Sequence, residues 1–246
     1  MKNTGNDRQT IGAMFDAVAP RYDLLNRLLS LGVDRYWRRS AVRWLQLPPQ
    51  GLVLDAASGT GDVALEIARQ TSAELQVIAS DISARMLCRG RQKMLASPQG
   101  QRFFVVRADC EALPLAADRC VGATIAFGIR NVADRPAALR ELCRILQPGA
   151  QLVVLEFSEP LNPLFRACYQ FYFHRLLPFL GGLLSQAAAY RYLPESVQRF
   201  PSRGAFKTLL AEAGFDSVVH RDLSGGIVTL YRGQVSKEPV FVVDRS

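Results

Sequence analysis

One short run, residues 52–61, constrains the fold more than any other part of the chain. It reads Leu-Val-Leu-Asp-Ala-Ala-Ser-Gly-Thr-Gly, an apolar strand that ends at Asp55 and turns through Gly59 and Gly61 into a helix beginning near Asp62. Glycine lets the backbone turn tightly and approach a ligand with no Cβ in the way. This arrangement is typical of a nucleotide-type cofactor seated at the carboxyl edge of a parallel sheet.

Two cofactors match this run. Residues 59–64 fit the dinucleotide pattern G-x-G-x-x-G/A, and Asp81 stands where a ribose-binding acid would be expected. A pyrophosphate, however, prefers an uncrowded positive helix N-terminus, and the carboxylates of Asp55 and Asp62 would repel it. S-adenosylmethionine (SAM) has no phosphate but carries an ammonium, a sulfonium and a ribose diol, which suit carboxylates. We therefore expect SAM rather than NAD, and an ordinary turn without a ligand is the least expected.

Composition places the chain among ordinary globular proteins. It has 246 residues, of which 49% are hydrophobic and 21% charged, enough for one large α/β domain with a buried core. The 30 Lys and Arg against 22 Asp and Glu leave a net charge of +8, and a basic surface attracts nucleic acid or anionic lipid. Charge alone does not choose between these partners, and a merely solvated basic face is the simpler explanation.

Cysteine pattern and hydropathy bear on the cellular location. The five cysteines show no CxxC or other metal-ligand spacing, so no metal site is predicted and the thiols are expected to be reduced. The segment 1–9 is polar, unlike a signal peptide, and no apolar run approaches about eighteen residues, the length that predicts a bilayer span. We expect a cytoplasmic protein, with peripheral attachment to the inner face of the cytoplasmic membrane as an option.

Strands and helices alternate along the chain after residue 50, which is typical of a parallel sheet with helical crossovers. We expect one domain over residues 1–233, with a helical lid at 1–50, an apolar insert at 160–202 and a tail at 234–246. The core is predicted to be a seven-stranded mixed sheet with helices on both faces. The predicted strands span 52–55, 75–80, 103–106, 121–127, 152–157, 217–221 and 227–232; the predicted helices span 16–30, 34–47, 62–71, 84–95, 136–147 and 203–213, with Asp34 and Ser83 as N-caps.

Acidic residues follow three successive strands of this sheet. Asp55, with the backbone of residues 59–61, is expected to face the methionyl ammonium and carboxylate. Asp81 can accept both ribose hydroxyls, because an anionic acceptor makes such bonds stronger than a neutral one. Asp109 is placed for the adenine amino group, with the Cys110 N–H toward a ring nitrogen. Each acid alone is a common cap or turn residue, but three at successive strand ends indicate a cofactor site.

Short motifs carry a resemblance to a known family. The most specific are Phe127–Val132 and Tyr190–Ser196, whereas the glycine loop is shared by many methyltransferases. Further carriers are Met14–Phe15, Ala19–Asp23, Leu54–Asp55, Gly59–Asp62, Glu111–Pro114, Leu155–Ser158, Ala213–Phe215 and Leu230–Gly233. Over residues 14–233 the chain resembles the ubiquinone/menaquinone biosynthesis C-methyltransferases (UbiE/MenG type), a family of class I SAM-dependent methyltransferases.

This resemblance implies the Rossmann-like class I methyltransferase fold, SAM as cofactor, and methyl transfer to a ring carbon of a prenylated hydroquinone. It also implies Thr60, Asp81 and the pair Asp109–Cys110 as cofactor contacts, in agreement with the strand-end prediction. The chain departs from the family pattern at Ala126, where many members have serine, and at residues 57–58, where Gly-Gly is frequent. We expect Ala-Ser at 57–58 to be tolerated if both residues keep a negative φ.

Several substrates and activities stay open at this stage. Conversion of demethylmenaquinol to menaquinol is the first expectation, with a ubiquinone-pathway benzoquinol or a phylloquinone-type naphthoquinol as alternatives. Positive charge prompts an RNA methyltransferase as a more distant alternative, but the sequence shows no added RNA-binding module, so no nucleic acid partner is expected. A dehydrogenase and a non-enzymatic SAM-binding module are further alternatives, and a homodimer is an option for the assembly.

For catalysis, the residues after the fourth strand are the first candidates. A hydroquinone carbon becomes nucleophilic when its neighbouring hydroxyl loses a proton, so the site must accept this proton or stabilise the phenolate. Arg130, which stays charged, is predicted to stabilise the oxyanion, with Asn131 holding the geometry. Tyr22 and Asp23 are predicted to grip the ring or close the lid. An ion pair that bridges sheet and lid is the alternative role of Arg130.

The insert bears on the substrate. It carries more apolar surface than one amphipathic helix needs, which predicts either a hydrophobic cover that admits a prenyl tail and rests on the membrane, or helices packed over the sheet. His174 within the insert and His220 in a late strand are the only histidines, and structural roles are expected for both. The apolar residues are Phe165, Tyr169, Phe171, Tyr172, Phe173, Leu176, Leu177, Phe179, Leu180, Leu183 and Leu184.

Overall fold

A seven-stranded sheet forms the centre of the molecule. The computed structural model describes residues 11–17, 19, 22–171 and 194–237. The strand order is β3-β2-β1-β4-β5-β7-β6, parallel except for β7, which is antiparallel to β5 and β6. The predicted mixed sheet is confirmed. The strands are β1 (Gly51–Ala56), β2 (Leu75–Asp81), β3 (Phe103–Arg107), β4 (Cys120–Ala126), β5 (Leu146–Phe157), β6 (Phe215–Leu223) and β7 (Val228–Val235).

Helices lie between the strands, as the alternating pattern predicts. Ser83 is confirmed as an N-cap, because its Oγ accepts a hydrogen bond from the backbone N–H of Met86 at 3.1 Å. The helices in the described part of the chain are α1 (11–17), α2 (Tyr22–Leu29), α3 (Asp34–Trp44), α4 (Asp62–Gln70), α5 (Ala84–Leu95), α6 (Arg135–Ile145), α7 (Pro163–Phe171), α8 (194–198) and α9 (Arg203–Glu212).

The lid differs from its prediction in two places. The single helix expected over 16–30 is instead two helices, α1 and α2, that separate around Ala19. Pro20 follows Ala19, and a residue before proline is disfavoured in the α-helical region. The predicted N-cap Asp34 is instead the first residue of α3, after an N-cap Val33 that makes no side-chain bond. The Asp34 carboxylate accepts a hydrogen bond from Arg38 at 2.6 Å.

Two apolar cores cover opposite faces of the sheet. Neighbouring residues of a strand point to opposite faces, and Leu54 belongs to one core while Val53 belongs to the other. The core on the Leu54 face is closed by α6 and α9, with Phe206 and Leu142 fully buried. The core on the Val53 face is closed by α3, α4 and α5, with Ile67 fully buried. The predicted placement of helices on both faces is therefore confirmed.

The boundaries of β5 and β7 extend beyond their predictions. β5 begins at Leu146 rather than Leu152, and the sheet takes up Pro148 through a register shift between Cys120 and Gly122 of β4. β7 continues to Val235, two residues into the segment assigned to the tail. Of the insert, the structure describes α7 and α8, whereas residues 172–193 lie outside the described part of the chain, as do 1–10 and 238–246.

The topology fixes where a ligand can bind. β1 pairs with β2 on one side and with β4 on the other, so the chain changes direction across the sheet between β1 and β4. In open parallel sheets, ligands bind in the crevice beside such a switch point, at the carboxyl ends of the strands. That edge carries Asp55, Asp81 and the turn that follows β4.

We expect a substitution of Gly90 by alanine to destabilise the protein. A Cβ at Gly90 of α5 would lie 3.0 Å from the carbonyl carbon of Thr60 and 3.3 Å from the carbonyl oxygen of Gly59, so alanine would displace the glycine loop. This effect opposes the roughly 1 kcal/mol by which alanine favours a helix. Calorimetry should show a lower melting temperature for Gly90→Ala.

Gly204→Ala is the matched control for this substitution. A Cβ at Gly204 of α9 meets nothing within 4 Å, so this variant should melt at the same temperature as the parent protein or slightly higher. Equal shifts for the two variants would contradict a close contact between α5 and the glycine loop.

Candidate active site

The carboxyl ends of β1 to β4 open into one cleft beneath the lid. The space within it is about 710 Å³, part of which is open to solvent. α1 and α2 supply one wall, and the turns after the strands supply the others. The lining residues are Ile11, Phe15, Tyr22, Ala57, Gly59, Asp81, Ile82, Met86, Ala108, Asp109, Cys110, Glu111, Ala126, Phe127, Gly128, Asn131, Val132 and Ala133.

Asp81 lies at the centre of this cleft and joins two of its walls. Its carboxylate accepts hydrogen bonds from the backbone N–H of Gly59 and from that of Ser83, both at 2.8 Å. Burial raises the pKa of Asp81, while the N–H donors of Ser83 and Gly59 act in the opposite direction. The backbone N–H of Ile82 is a third donor to this carboxylate. A carboxylate offers about four lone-pair sites, so Asp81 retains capacity to accept a ribose hydroxyl.

The glycine loop approaches the cleft with its backbone. Gly59 and Gly61 have φ values of 56° and 77°, in the left-handed region that glycine adopts at low cost. Ala57 also has a positive φ, 48°, which corrects the expectation that this residue keeps a negative φ. A Cβ built at Gly128 would lie only 2.5 Å from the Cβ of Ala57, so a side chain at position 128 would clash with Ala57. The two turns therefore pack directly against each other.

Asp55 lies beneath the glycine loop rather than in the cleft wall. It is 1% exposed, and its carboxylate accepts hydrogen bonds from the Ala64 N–H at 3.0 Å and from the Thr124 hydroxyl at 2.8 Å. Burial raises its pKa to about 7. The Asp55 carboxylate thus bonds to the first turn of α4 instead of making the expected contact with the methionyl ammonium. It supports the glycine loop from the side that faces away from the cleft.

Asp109 and Cys110 line the cleft where the adenine was expected. The backbone N–H of Glu111 donates to the Asp109 carboxylate at 3.0 Å, which fixes the turn after β3. Burial raises the pKa of Cys110 to about 12, so its thiol stays protonated. Ile82 and Met86 line the same region. The sequence prediction missed these two apolar residues, although both follow Asp81 at short spacing.

Tyr22 lines the cleft from the lid. Its ring stands above the glycine loop, since a Cβ built at Gly59 would lie 3.9 Å from the Tyr22 Cε1 atom. Phe15 of α1 contacts the Tyr22 ring edge-on at a centroid distance of 6.3 Å. Thr60 faces away from the cleft, because its hydroxyl bonds to Asp23 of α2. Asp23 thus contacts the loop, while Tyr22 faces the ligand space.

Arg130 and Asn131 follow β4 but take different positions. Asn131 lines the cleft. Arg130 is 8% exposed, and its Nη1 donates to the Glu156 carboxylate and to the Phe127 carbonyl oxygen, both at 2.6 Å. Glu156 is fully buried and also accepts from the backbone N–H of Arg130 at 3.2 Å. This corrects the predicted contact between Arg130 and a quinol oxygen, because the buried carboxylate requires a cation.

The observed ion pair also differs from the predicted alternative. It joins the turn after β4 to the end of β5, not the sheet to the lid. Glu156 lies within the motif Leu155–Ser158, but no role was predicted for it, because its contact with Arg130 forms only when β4 and β5 pair in the folded sheet. His220 lies on β6 beside the Tyr231 ring, 6.1 Å away between centroids, outside the cleft. His174 lies outside the described residues.

The lining fits SAM better than a dinucleotide. Asp81, Asp109 and Glu111 place three carboxyl groups in the cleft, which suit a cationic ligand. The Ala64 N–H in the first turn of α4 already bonds to Asp55, so it cannot serve a pyrophosphate as in dinucleotide sites. Small residues, Ala57 and Ala126, leave the cleft floor open beside these acids.

Two further observations concern membranes and metals. None of the helices in the described part of the chain combines the length and hydropathy that a bilayer span requires. Residues 11–17, 19, 22–171 and 194–237 also bring together no group of three or more side chains suited to bind a metal ion.

Comparisons with known proteins agree with this geometry. The model of the ubiE/COQ5 methyltransferase family matches residues 2–235. The ubiquinone/menaquinone biosynthesis C-methyltransferase UbiE of Geobacter sulfurreducens is 52% identical over 92% of this chain and 88% of its own length. The demethylmenaquinone methyltransferase of Thermus thermophilus is 46% identical over 89% and 99%, respectively. A crystal structure of a SAM-dependent methyltransferase from Aquifex aeolicus has a TM-score of 0.63 at 15% identity, over 87% and 97%, and shows a shared fold.

Asp55 should make the free energy of unfolding depend on pH. Its pKa rises from 3.8 to about 7 on folding, so between these values the folded protein holds a proton that the unfolded chain has lost. This contribution to stability is complete below about pH 4 and is lost as pH rises through about 7. Urea unfolding from about pH 5 to about pH 8 should show the parent protein losing stability relative to Asp55→Asn.

Asp216→Asn is the control for this experiment, since Asp216 is exposed on β6. Its stability difference from the parent should stay constant across the same pH range. A constant difference for Asp55→Asn as well would show that Asp55 does not exchange a proton on folding.

Proposed function

The chain belongs to the ubiE/COQ5 methyltransferase family, and we propose that it transfers the methyl group of SAM to a ring carbon of a prenylated hydroquinone. The observation that carries this proposal is a cleft lined by the carboxyl groups of Asp81, Asp109 and Glu111 together with aromatic and aliphatic side chains. The carboxyl groups suit the cationic cofactor of these enzymes, and the apolar side chains suit a flat ring with a hydrocarbon tail.

We propose that Asp81 holds the ribose of SAM, with Asp109 and the Cys110 N–H at the adenine. The backbone of Gly59 and Gly61 leaves room for the methionyl group, and Asp55 keeps this loop in place from behind. When bound, SAM supplies an electrophilic methyl group on its sulfonium. Alignment of this methyl group with the ring carbon then depends on the walls of the cleft.

The ring is proposed to lie against Phe127 and Val132, with Tyr22 closing over it. Asn131 is the nearest amide to this space, and its Nδ2 also donates to the Phe127 carbonyl oxygen at 3.4 Å. We propose that Asn131 and Tyr22 orient the quinol oxygen while its hydroxyl proton leaves to water. The ring proton at the methylated carbon leaves afterwards, which restores aromaticity.

Arg130 acts, in this proposal, as a positioning residue. Its bonds to Glu156 and to the Phe127 carbonyl oxygen hold the turn that carries Asn131. Glu156 balances the guanidinium charge at 2.6 Å. Arg130 therefore shapes the cleft wall and adds no net charge to it.

Demethylmenaquinol is the substrate that we propose first. One relative is named for demethylmenaquinone, whereas the other is named for both the ubiquinone and the menaquinone pathways. A demethylated benzoquinol with a prenyl tail is therefore the second candidate.

Labelled SAM tests this function directly. Purified protein should transfer the labelled methyl group to reduced demethylmenaquinone in detergent, and mass spectrometry should show one added ring methyl. Asp81→Asn should weaken SAM binding by about tenfold or more, as expected for a lost charge-assisted hydrogen bond. Asp216→Asn, on an exposed part of β6, should bind and react like the parent protein.

Other outcomes of this assay are equally informative. Transfer to a benzoquinol alone would select the second substrate. Label that appears in RNA but in no quinol would overturn the proposed function, as would binding of NADH in place of SAM.

We also propose that one apolar and basic surface rests on an anionic bilayer. Leu31, between α2 and α3, is 88% exposed, and Leu164 of α7 is 78% exposed. Both segments flank the turn before β7: Trp37 of α3 donates to the Ser224 hydroxyl at 2.8 Å, and Gly225 lies against the Phe165 ring. Exposed arginines surround the lid part of this surface: Arg27, Arg35 and Arg39.

The membrane contact predicted for the insert stays a prediction, because most of its apolar residues lie outside the described part of the chain. Of the two that are described, Phe165 is 39% exposed and belongs to the surface proposed here, whereas Tyr169 is 8% exposed and packs against Val197 and Phe157. The side chain of Phe171 and residues 172–184 lie outside the described part of the chain. Exposed aliphatic side chains with cations nearby bind membranes by apolar insertion and by attraction to anionic lipid.

Vesicle flotation tests this contact. The parent protein should float with vesicles that contain phosphatidylglycerol and much less with pure phosphatidylcholine. The double variant Leu31→Asp/Leu164→Asp should lose most of this binding, since two carboxylates replace apolar contacts. Leu95→Asp/Val219→Asp changes two residues that are 54% and 39% exposed elsewhere, and it should float like the parent.

Equal flotation of both double variants would rule the proposed surface out.

Self-association into a homodimer stays a prediction. The sedimentation coefficient of the protein without vesicles tests it.

A further inference from the structure

The side chain of Lys93 joins three separate parts of the molecule. It extends from α5, and its Nζ donates to Asp23 of α2 at 2.8 Å and to the Thr60 hydroxyl of the glycine loop at 3.3 Å. Its third bond goes to the Asp62 carboxylate in the first turn of α4. An ammonium has three protons, so Lys93 uses its full donor capacity here.

Arg38 extends this network to α3. Its guanidinium lies 3.0 Å from the Asp62 carboxylate and 2.6 Å from that of Asp34. Three carboxylates on α2, α3 and α4 therefore share two cations. The side chains of Lys93, Asp23 and Asp62 are only 30%, 26% and 22% exposed, so solvent screens these charges less than at an open surface.

Asp23 and Tyr22 connect this network to the cleft. The two residues are adjacent on α2, where one residue points to Lys93 and the other to the space above Gly59. Burial acts to raise the pKa of Asp23, but the hydrogen bonds from Lys93 and Thr60 and the charges of Lys93 and Arg38 outweigh it, so the pKa is lowered. The carboxylate is therefore ionised whenever the lid is in this position.

We propose that Lys93 is a positioning residue that holds α2 closed over bound SAM. It makes no contact with the cleft itself, and it acts by fixing Asp23 on Thr60, which places Tyr22 over the cofactor loop. Without the ammonium, Arg38 would be the remaining cation for Asp23, Asp34 and Asp62. The repulsion between Asp23 and Asp62 would then be less well balanced, which favours an open lid. This role rests on SAM as the cofactor but not on the identity of the methyl acceptor.

Substitution of Lys93 by methionine tests this role, because methionine keeps the length and removes the charge. Calorimetry should show S-adenosylhomocysteine bound about tenfold more weakly, as for a lost charge-assisted bond. Amide hydrogen exchange of residues 22–30 should lose the protection that the ligand confers on the parent protein. In steady-state assays, KM for SAM should rise more than kcat falls.

Two variants separate positioning from simple stability. Lys93→Arg keeps the cation and should restore most of the affinity and the protection. Lys207→Met removes the same charge from α9, on the opposite face of the sheet from α5, and should bind like the parent. Asp23→Asn should resemble Lys93→Met, and the double variant should be no worse than either single one, since both remove the same contact.

The proposal is overturned if Lys93→Met and Asp23→Asn both bind the ligand, and protect residues 22–30, to within about twofold of Lys207→Met. If Lys93→Met does not fold, Asp23→Asn carries the test with the same readouts. Because neither calorimetry nor exchange needs a quinol, these results are independent of whether the proposed methyl acceptor is correct.

Discussion

The hydrogen bonds that the Asp81 carboxylate accepts are the interactions on which the rest of the site depends. It accepts the Gly59 N–H from the loop after β1 and the Ser83 N–H from the start of α5. One side chain thus sets the distance between the glycine loop and the helix that supports the lid. Because Asp81 also lines the cleft, the group that organises the floor is the group that we propose to bind the ribose. A floor held in this way before the ligand arrives would lower the entropic cost of binding.

Two other buried carboxylates support this floor. Asp55 binds the first turn of α4 and Thr124 of β4, while Glu156 binds Arg130 and the backbone of the turn after β4. Each acid is at most 1% exposed and has its partners within the protein, as buried charges require. The acids that line the cleft itself, Asp81, Asp109 and Glu111, suit a sulfonium better than a phosphate. Asp55 instead holds the glycine loop, and Glu156 holds the turn after β4.

Sequence patterns predicted the parts of this site that depend on strand ends. Parallel strands bring their carboxyl ends to one edge, so Asp81, Asp109 and the glycine loop could be placed from spacing alone. The directions of side chains in tight turns could not be predicted. Arg130 and Asn131 are neighbours, yet one is buried against Glu156 and the other lines the cleft. Lys93 was missed for a similar reason, because its partners come from α2 and α4, and only tertiary packing brings them together.

The site has two parts that are held in different ways: a floor with strained backbone, and a lid held by charge pairs. Ala57 and Phe127 have φ values of 48° and 56°, conformations that cost non-glycine residues about 1–3 kcal/mol each and persist only where the surroundings over-determine them. Here the Phe127 ring stacks 4.6 Å from Phe157 and 6.1 Å from Trp37, between centroids, and Arg130 holds its carbonyl oxygen. At α2, polar contacts through Asp23 hold the lid to the loop. We therefore propose that packing and strain fix the floor on which the methyl donor would lie, while charge pairs hold the lid over the cleft.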